Sequence, residues 1–274
     1  MTDSFKFNLI LLSVIILLTY VMFGETLHKK FSIIDDHHIV ADIGSDNKFT
    51  LNEAINVVKN DKDFDLGEYG RFRPAFQVAR ALEMYLFKNN VIYYQIARLL
   101  VFIFVIYMLS KFIFSKVDVI SGSLISLVLV SEVAWFDIIS RFVASEIYTL
   151  YGLVIFIPVS KLIYDYLRSG NESKLRARTV VLIAYFVSGL LAIGSKENST
   201  FLIIVPAIIF YFLLKSTARG IFKNLIGLIS IVLILYGLFI SFVIGWYFIN
   251  TSEDISGYGF HGSTSFKILY NFWW

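Results

Sequence analysis

The chain has 274 residues, of which 57% are hydrophobic and 16% are charged. An ordinary soluble domain is about 45–50% apolar and about 25% charged, so this composition nearly excludes a water-soluble globular enzyme. The lack of cysteine excludes disulfides, cysteine-ligated zinc and thiol nucleophiles, and the net charge of only +3 argues against nucleic-acid binding. We therefore predict an all-α, polytopic membrane protein.

Seven segments reach the roughly 20 mostly apolar residues that a membrane-spanning helix needs. They lie at residues 7–24, 91–114, 117–139, 142–165, 178–195, 198–215 and 221–249. The first is preceded by a single Lys6 and lacks a small-residue cleavage site, so we expect it to be retained as a span. A single transmembrane domain over residues 1–274 is the resulting prediction.

Lysine and arginine residues are concentrated in alternate connections between these spans. One set of connections contains Lys111, Lys116, Arg168, Lys174, Arg176, Arg178, Lys215, Arg219 and Lys223, whereas the short connections of the other set contain Arg141 and Lys196. Because the basic connections stay in the cytoplasm, we expect a cytoplasmic N-terminus in a plasma membrane, with a bacterial inner membrane favoured. Residues 25–90 then form a large first outer loop. Residues 250–274 are also outside and resemble the entry to a further span.

Two short helices are predicted in the first outer loop. Thr50 and Glu53 have the spacing of a capping box, and apolar residues follow them at helical intervals. Pro74 suits the first turn of a second helix. In that helix the apolar face consists of Phe76, Ala79, Leu82 and Leu86, and the polar positions are Gln77, Arg80, Glu83 and Lys88. Helices of this kind lie in the membrane interface with the apolar side towards lipid.

Ionisable residues collect at the outer ends of the predicted spans, where they are costly and usually paired or functional. They are Asp35, Asp36, Glu132, Asp137, Arg141, Glu146, Lys196 and Glu197. Such a cluster indicates an external reaction site, the alternative being pairs that only lock helix ends. Arg71 and Arg73, just before Pro74, suit a phosphate or, equally, an anionic lipid headgroup.

Three short patterns resemble those of the GT-C superfamily of polytopic glycosyltransferases, nearest to its protein O-mannosyltransferase-like and tetratricopeptide-associated branches. They are the pair Asp35-Asp36, the turn Arg71-Phe72-Arg73-Pro74, and Ser195-Lys196-Glu197-Asn198. Arg141 followed by Glu146 is similar to the Arg-then-Glu pattern of this superfamily, at a wider spacing. The likeness covers the layout of the whole chain as a GT-C-like N-terminal module, whereas the family typically continues with a further loop and spans.

The resemblance implies an inverting transfer of a sugar from a polyprenyl-phosphate donor to a glycan, lipid or protein acceptor outside the cytoplasm. It implies Asp35 or Asp36 as the general base. The implied donor-phosphate ligands are Arg73, Lys196, Arg71 and Arg141, and the implied orienting or sugar-binding groups are Glu197 and Glu146. Some members of the superfamily use a divalent metal and others do not. His37 and Glu197 could bind such a metal here, and the resemblance leaves the requirement open.

Two other classes remain open. A transporter or flippase for a lipid-linked or anionic substrate would have inverted repeats and broken spans. Arg98, about two turns into its predicted span, is the charge that favours such a buried pathway. A non-catalytic membrane scaffold would tolerate the loss of Asp35 and Asp36.

Overall fold

The computed structural model describes residues 3–28, 30, 37–44, 48–60, 72–142, 144–169, 178–196, 199–215 and 221–250. These residues form helices and connections without a strand, so the predicted all-α class is confirmed. The chain divides into two compact units. One comprises Met1–Ala54 and Leu82–Ile147, and the other comprises Ile55–Ala81 and Tyr148–Trp274.

The helices of the described residues range in length from 7 to 30 residues. In chain order they are α1 (Asp3–Phe23), α2 (His37–Ile43), α3 (Leu51–Asn60), α4 (Pro74–Phe87), α5 (Val91–Phe114), α6 (Val119–Val130), α7 (Val133–Ser140), α8 (Ser145–Ser169), α9 (Arg178–Ser195), α10 (Thr200–Lys215) and α11 (Ile221–Asn250). A turn of 3₁₀-helix over Gly24–His28 continues α1. Before α3, the Thr50 N–H donates to the Glu53 carboxylate (2.6 Å) and the Glu53 N–H donates to the Thr50 hydroxyl (3.3 Å), as in the capping box that the sequence predicts.

Five helices of the described residues are long and apolar enough to cross a membrane. They are Phe5–His28, Val91–Phe114, Ser145–Arg168, Arg178–Ser195 and Ile221–Trp246. Ile120–Val130 and Ala134–Ser140, bent by 49° relative to each other, make a sixth if the pair is one span. Thr200–Leu214 is apolar but shorter. These helices are consistent with a multi-pass integral membrane protein.

The predicted span 117–139 is not one straight helix. Glu132 has extended backbone angles (φ −62°, ψ 123°), so the helix cannot continue through it, and α7 starts a new direction. The indole N–H of Trp135 donates to the carbonyl of Leu129 (2.8 Å) and so satisfies an acceptor near the end of α6. Apolar composition cannot predict this break, because it depends on how many residues are apolar and not on their backbone angles.

In the unit formed by Met1–Ala54 and Leu82–Ile147, α5 packs against α1 and α6. Phe102 of α5 lies in its core and contacts the rings of Phe23 and Trp135 edge to face, with centroids 5.1 and 5.2 Å away. Packed apolar and aromatic contacts of this kind hold helices together where lipid weakens the hydrophobic driving force.

In the unit formed by Ile55–Ala81 and Tyr148–Trp274, α11 packs against α9 and α10. Small residues bring helices close together. A Cβ built on Gly152 of α8 would lie 2.6 Å from the backbone nitrogen of Ala192 and 2.7 Å from the carbonyl oxygen of Ser188, both on α9. The hydroxyls of Tyr185 and Ser230 join α9 to α11 at 3.2 Å. Small side chains at helix crossings and buried polar links are both typical of membrane bundles.

Candidate functional site

The residues predicted for the site fall into two groups. Those outside the described residues are Asp35, Asp36, Arg71 and Glu197. Those that the structure describes, all half-buried, are Arg73, Arg141, Glu146 and Lys196. Arg73 and Lys196 belong to one compact unit, and Arg141 and Glu146 belong to the other.

Arg73 immediately precedes α4 and its backbone is held by the first turn of that helix. Its carbonyl accepts a hydrogen bond from the Gln77 N–H (3.3 Å). Pro74 begins the helix as predicted, at a position whose missing N–H would have no partner within the helix. On the other side, the ring of Phe72 contacts the ring of Phe239 on α11 edge to face, with centroids 6.1 Å apart. These contacts fix the position of the Arg73 backbone, from which its side chain extends.

Lys196 directly follows the last residue of α9. Its carbonyl accepts a hydrogen bond from the Ser199 N–H (3.1 Å). The Ser199 hydroxyl lies within hydrogen-bonding distance of the carbonyls of Lys196 and Ala192. The backbone at Lys196 is therefore tied both to the end of α9 and to the start of the next helix.

The segments that carry Arg73 and Lys196 meet at Gly194. A Cβ built on Gly194 would lie 2.6 Å from the Cβ of Ala75 and 3.1 Å from its backbone nitrogen, and it would also collide with the hydroxyl of Tyr236. Only glycine fits without displacing these neighbours. Because Arg73 is two residues before Ala75 and Lys196 two residues after Gly194, the structure brings the backbones of both cationic residues to one crossing.

Arg141 and Glu146 have local partners near the helix ends where they lie. The half-buried Arg141 forms an ion pair through its guanidinium with Asp137, one turn earlier, whose side chain is exposed. The Glu146 carboxylate accepts a hydrogen bond from the Ser145 hydroxyl (3.4 Å). The Arg141–Asp137 pair lies at the end of a helix. It therefore matches the alternative interpretation of these residues, in which ion pairs only lock helix ends.

A buried ion pair that was not predicted joins Arg98 of α5 to Glu83 of α4. The Arg98 guanidinium lies 3.3 Å from each Glu83 carboxylate oxygen and donates to the carbonyls of Tyr94 (3.0 Å) and Phe142 (2.7 Å). The side chains are 0% and 6% exposed, and the Tyr94 and Phe142 rings lie 5.7 and 5.1 Å from the guanidinium carbon. Arg98 was interpreted as favouring a transport pathway, but these partners give it a structural role.

Helix α4 buries polar side chains and exposes apolar ones. The buried polar residues are Gln77, Arg80 and Glu83, and the apolar residues that are more than half exposed are Val78, Leu82 and Leu86. Phe76, predicted to share a face with Leu82 and Leu86, is instead buried against the ring of Tyr148 (centroids 5.3 Å apart). Because lipid accepts apolar groups and rejects charges, this arrangement suits a helix with one side in the bilayer. The sequence indicates this polar side through the spacing of Gln77, Arg80 and Glu83, which follow one another at intervals of three residues.

No group of three or more His, Asp or Glu side chains that could hold a metal ion occurs in the part of the chain that the structure describes. Glu197, one of the two residues considered for such a role, lies outside this part, and for His37 only the backbone is described. The two segments that meet at Gly194 each carry a cationic residue, Arg73 and Lys196, and cations suit an anionic oxygen.

Comparison with protein-family models, with curated protein sequences and with solved structures finds no significant match to this chain. The resemblance to the GT-C superfamily therefore depends on the short patterns at Asp35-Asp36, Arg71 to Pro74 and Lys196-Glu197.

Proposed function

We propose that the protein is a polytopic membrane glycosyltransferase that moves a sugar from polyprenyl phosphate to an acceptor on the non-cytoplasmic face. The contact between Gly194 and Ala75 is the observation that carries this proposal, because it brings Arg73 and Lys196 to the same crossing. Two fixed cations can bind a lipid phosphate and stabilise the negative charge that grows on it as the sugar leaves.

The proposed reaction is a direct displacement. An acceptor hydroxyl attacks the anomeric carbon and gives its proton to Asp35 or Asp36, while the bond from that carbon to the phosphate oxygen breaks and its electron pair stays on the phosphate. One displacement inverts the anomeric configuration. Arg73 is the first choice as phosphate ligand and Lys196 the second, with Arg71 and Arg141 in reserve. Glu197 and Glu146 are assigned to orienting Lys196 or holding sugar hydroxyls.

The proposal includes seven spans with a cytoplasmic N-terminus, in which α10 and the bent pair α6–α7 also cross the membrane. In this topology Arg73 and Lys196 are both outside. The close approach of Ala75 to Gly194 supports a shared side independently of the distribution of basic residues. Reporter fusions after Asn60 and after Glu172 test it, and a cytoplasmic signal at Asn60 would contradict it.

The activity is tested with membranes that contain the full chain and polyprenyl phosphates carrying radiolabelled sugars. We expect Arg73→Gln to lower turnover by roughly 100- to 1,000-fold, the usual loss when a fixed charge-stabilising group is removed. One of the two variants Asp35→Asn and Asp36→Asn, the one that replaces the base, should abolish turnover. Lys161→Gln is the matched control, because it removes an exposed cation elsewhere in the same unit as Arg73. Turnover that survives in both aspartate variants would refute the assignment of the base.

One observation favours a transporter or flippase as the second candidate. The bend of 49° between Ile120–Val130 and Ala134–Ser140 gives a broken span, and broken spans bind substrate in many transporters. Those folds have broken spans at matching places in two repeats, whereas the described residues contain one such pair. Movement of a labelled polyprenyl phosphate across vesicles that contain the chain, without sugar transfer, would favour this candidate.

A further inference from the structure

Gln77 of α4 is buried, and its amide oxygen has no hydrogen bond within the part of the chain that the structure describes. Its side chain is 2% exposed, and its Oε1 atom finds no donor among the described residues. An amide oxygen that is removed from water without a donor lowers the stability of the fold, so native proteins keep few of them. A group that donates a hydrogen bond would satisfy this atom.

Gln77 lies one helical turn after Arg73, and the Gln77 N–H donates to the Arg73 carbonyl (3.3 Å). Because Arg73 directly precedes the first residue of α4, its side chain starts about one helical turn before that of Gln77. Arg80 lies on the same side of α4 as Gln77 and is also buried. Going from the residue before α4 into the helix, the side chains at these three positions are a guanidinium, an amide and a second guanidinium.

This set distinguishes between ligands. An ionised phosphate presents only acceptor oxygens, which suit Arg73 but cannot donate to the Oε1 atom of Gln77. A sugar hydroxyl both donates and accepts. In a polyprenyl-phosphate sugar a phosphate oxygen is bonded to the anomeric carbon, and the next ring carbon carries a donor, which is a hydroxyl in a hexose or pentose and the N–H in an N-acetylhexosamine. The phosphate and this donor are near neighbours, as are Arg73 and Gln77 in the chain.

Resting on the function proposed above, we propose that Gln77 binds a ring hydroxyl of the donor sugar and thereby selects the sugar-loaded lipid over the bare lipid phosphate. Arg73 would hold the phosphate that both lipids share. Gln77 is then a specificity-determining residue, and the anionic headgroup of an ordinary membrane lipid is a poorer ligand for this face of α4.

The test measures binding of two probes to the full chain in detergent. The probes are a short-chain polyprenyl phosphate, and the same lipid carrying a hexose, an N-acetylhexosamine or a pentose in separate assays. We expect the wild-type chain to bind at least one sugar-loaded lipid more tightly than the bare lipid. Gln77→Met keeps the length of the side chain and removes its acceptor, so it should lose roughly tenfold in affinity for that lipid and nothing for the bare phosphate. Arg73→Gln should weaken the binding of both probes.

The remaining outcomes separate this inference from the proposed function. If Gln77→Met weakens both probes equally or neither of them, the inference is wrong while lipid-phosphate binding stands. If the wild-type chain binds neither probe, the proposed function fails as well. Gln77→Asn is the second variant, for use if Gln77→Met does not fold, because it keeps the amide on a shorter side chain. We expect this variant to fold and to lose affinity for the sugar-loaded lipid but not for the bare phosphate. An equal loss in this variant also overturns the inference.

Discussion

Two ion pairs of this chain look alike in chemistry and differ in surroundings. Lys161 and Asp165, one turn apart on α8, are 2.6 Å apart with side chains 70% and 44% exposed. Arg98 and Glu83 are 3.3 Å apart, yet their side chains are 0% and 6% exposed. The shorter pair is expected to matter less, because it lies near the C-terminal end of α8, where both charged groups reach water or lipid headgroups that screen the pair. Burial, and not the distance between the charged atoms, decides which of the two pairs contributes more to stability.

The variant that tests this comparison most severely is Arg98→Met. It leaves the Glu83 carboxylate buried without its guanidinium and the Phe142 carbonyl without the Arg98 donor. We expect the free energy of unfolding to fall by about 3–5 kcal/mol, the usual result of removing one partner of a buried pair. Denaturant unfolding of the purified chain in detergent measures it. A loss below about 1 kcal/mol would contradict the ranking by burial.

The double variant Glu83→Leu, Arg98→Met sharpens the comparison. Replacing both charges with apolar side chains removes the carboxylate that Arg98→Met leaves without that guanidinium, and such replacements are often neutral or stabilising. We expect it to recover most of the about 3–5 kcal/mol lost by Arg98→Met, less the loss at the Phe142 carbonyl. The same unfolding measurement, completed with Glu83→Leu, gives the coupling energy. A double variant as unstable as Arg98→Met would mean that Arg98 stabilises the fold through Phe142 and Tyr94 and not through Glu83.

Lys161→Met should change much less. Pairs one turn apart on an exposed helix surface contribute about 0.3–0.5 kcal/mol, so we expect a change in unfolding free energy below about 0.5 kcal/mol. The measurement is the one used for Arg98→Met, with Asp165→Asn as the partner variant. A loss as large as that of Arg98→Met would mean that the exposed pair behaves as a buried one.

Asp118, at the N-terminus of α6, is expected to give the smallest effect. Hydrogen bonds from the hydroxyl and N–H of Ser121 lower the pKa of its carboxyl. Because the folded pKa lies below the unfolded one, its stabilising contribution is present above the unfolded pKa and is lost as the pH falls through the folded pKa. Hydrogen exchange at the amides of Ile120 and Ser121 should rise at acid pH, relative to pH-matched exchange in an unfolded peptide. Asp118→Asn keeps a capping acceptor without titrating, so pH-dependent exchange in that variant would contradict this cause.

The sequence was sufficient for much of the fold because length and apolar composition decide a span locally. Residues 91–114 and 178–195 were predicted to be spans, and α5 and α9 occupy the same positions. The break at Glu132 and the burial of Glu83 were beyond this reasoning. The first depends on backbone angles at one residue, and the second on a partner fifteen positions away.

For the candidate site, the sequence indicates which residue types could bind the substrate, but not which of them lie close together. Arg73 and Lys196 could be selected as cations near the ends of predicted helices. The contact that unites their segments depends on Gly194, whose missing side chain was not recognised as a packing requirement. Gln77 was seen only as a polar position, since nothing in a single sequence shows that an amide oxygen will be buried.

The inward polar side of α4 bears on how the protein is assembled. Glu83 leaves the ribosome before Arg98, which follows it by fifteen residues on the next helix. A helix with a carboxylate on one side and leucines on the other gains little from entering the bilayer alone. We therefore expect insertion of α4 to depend on α5, so that the two helices enter the membrane together and not as two independent events.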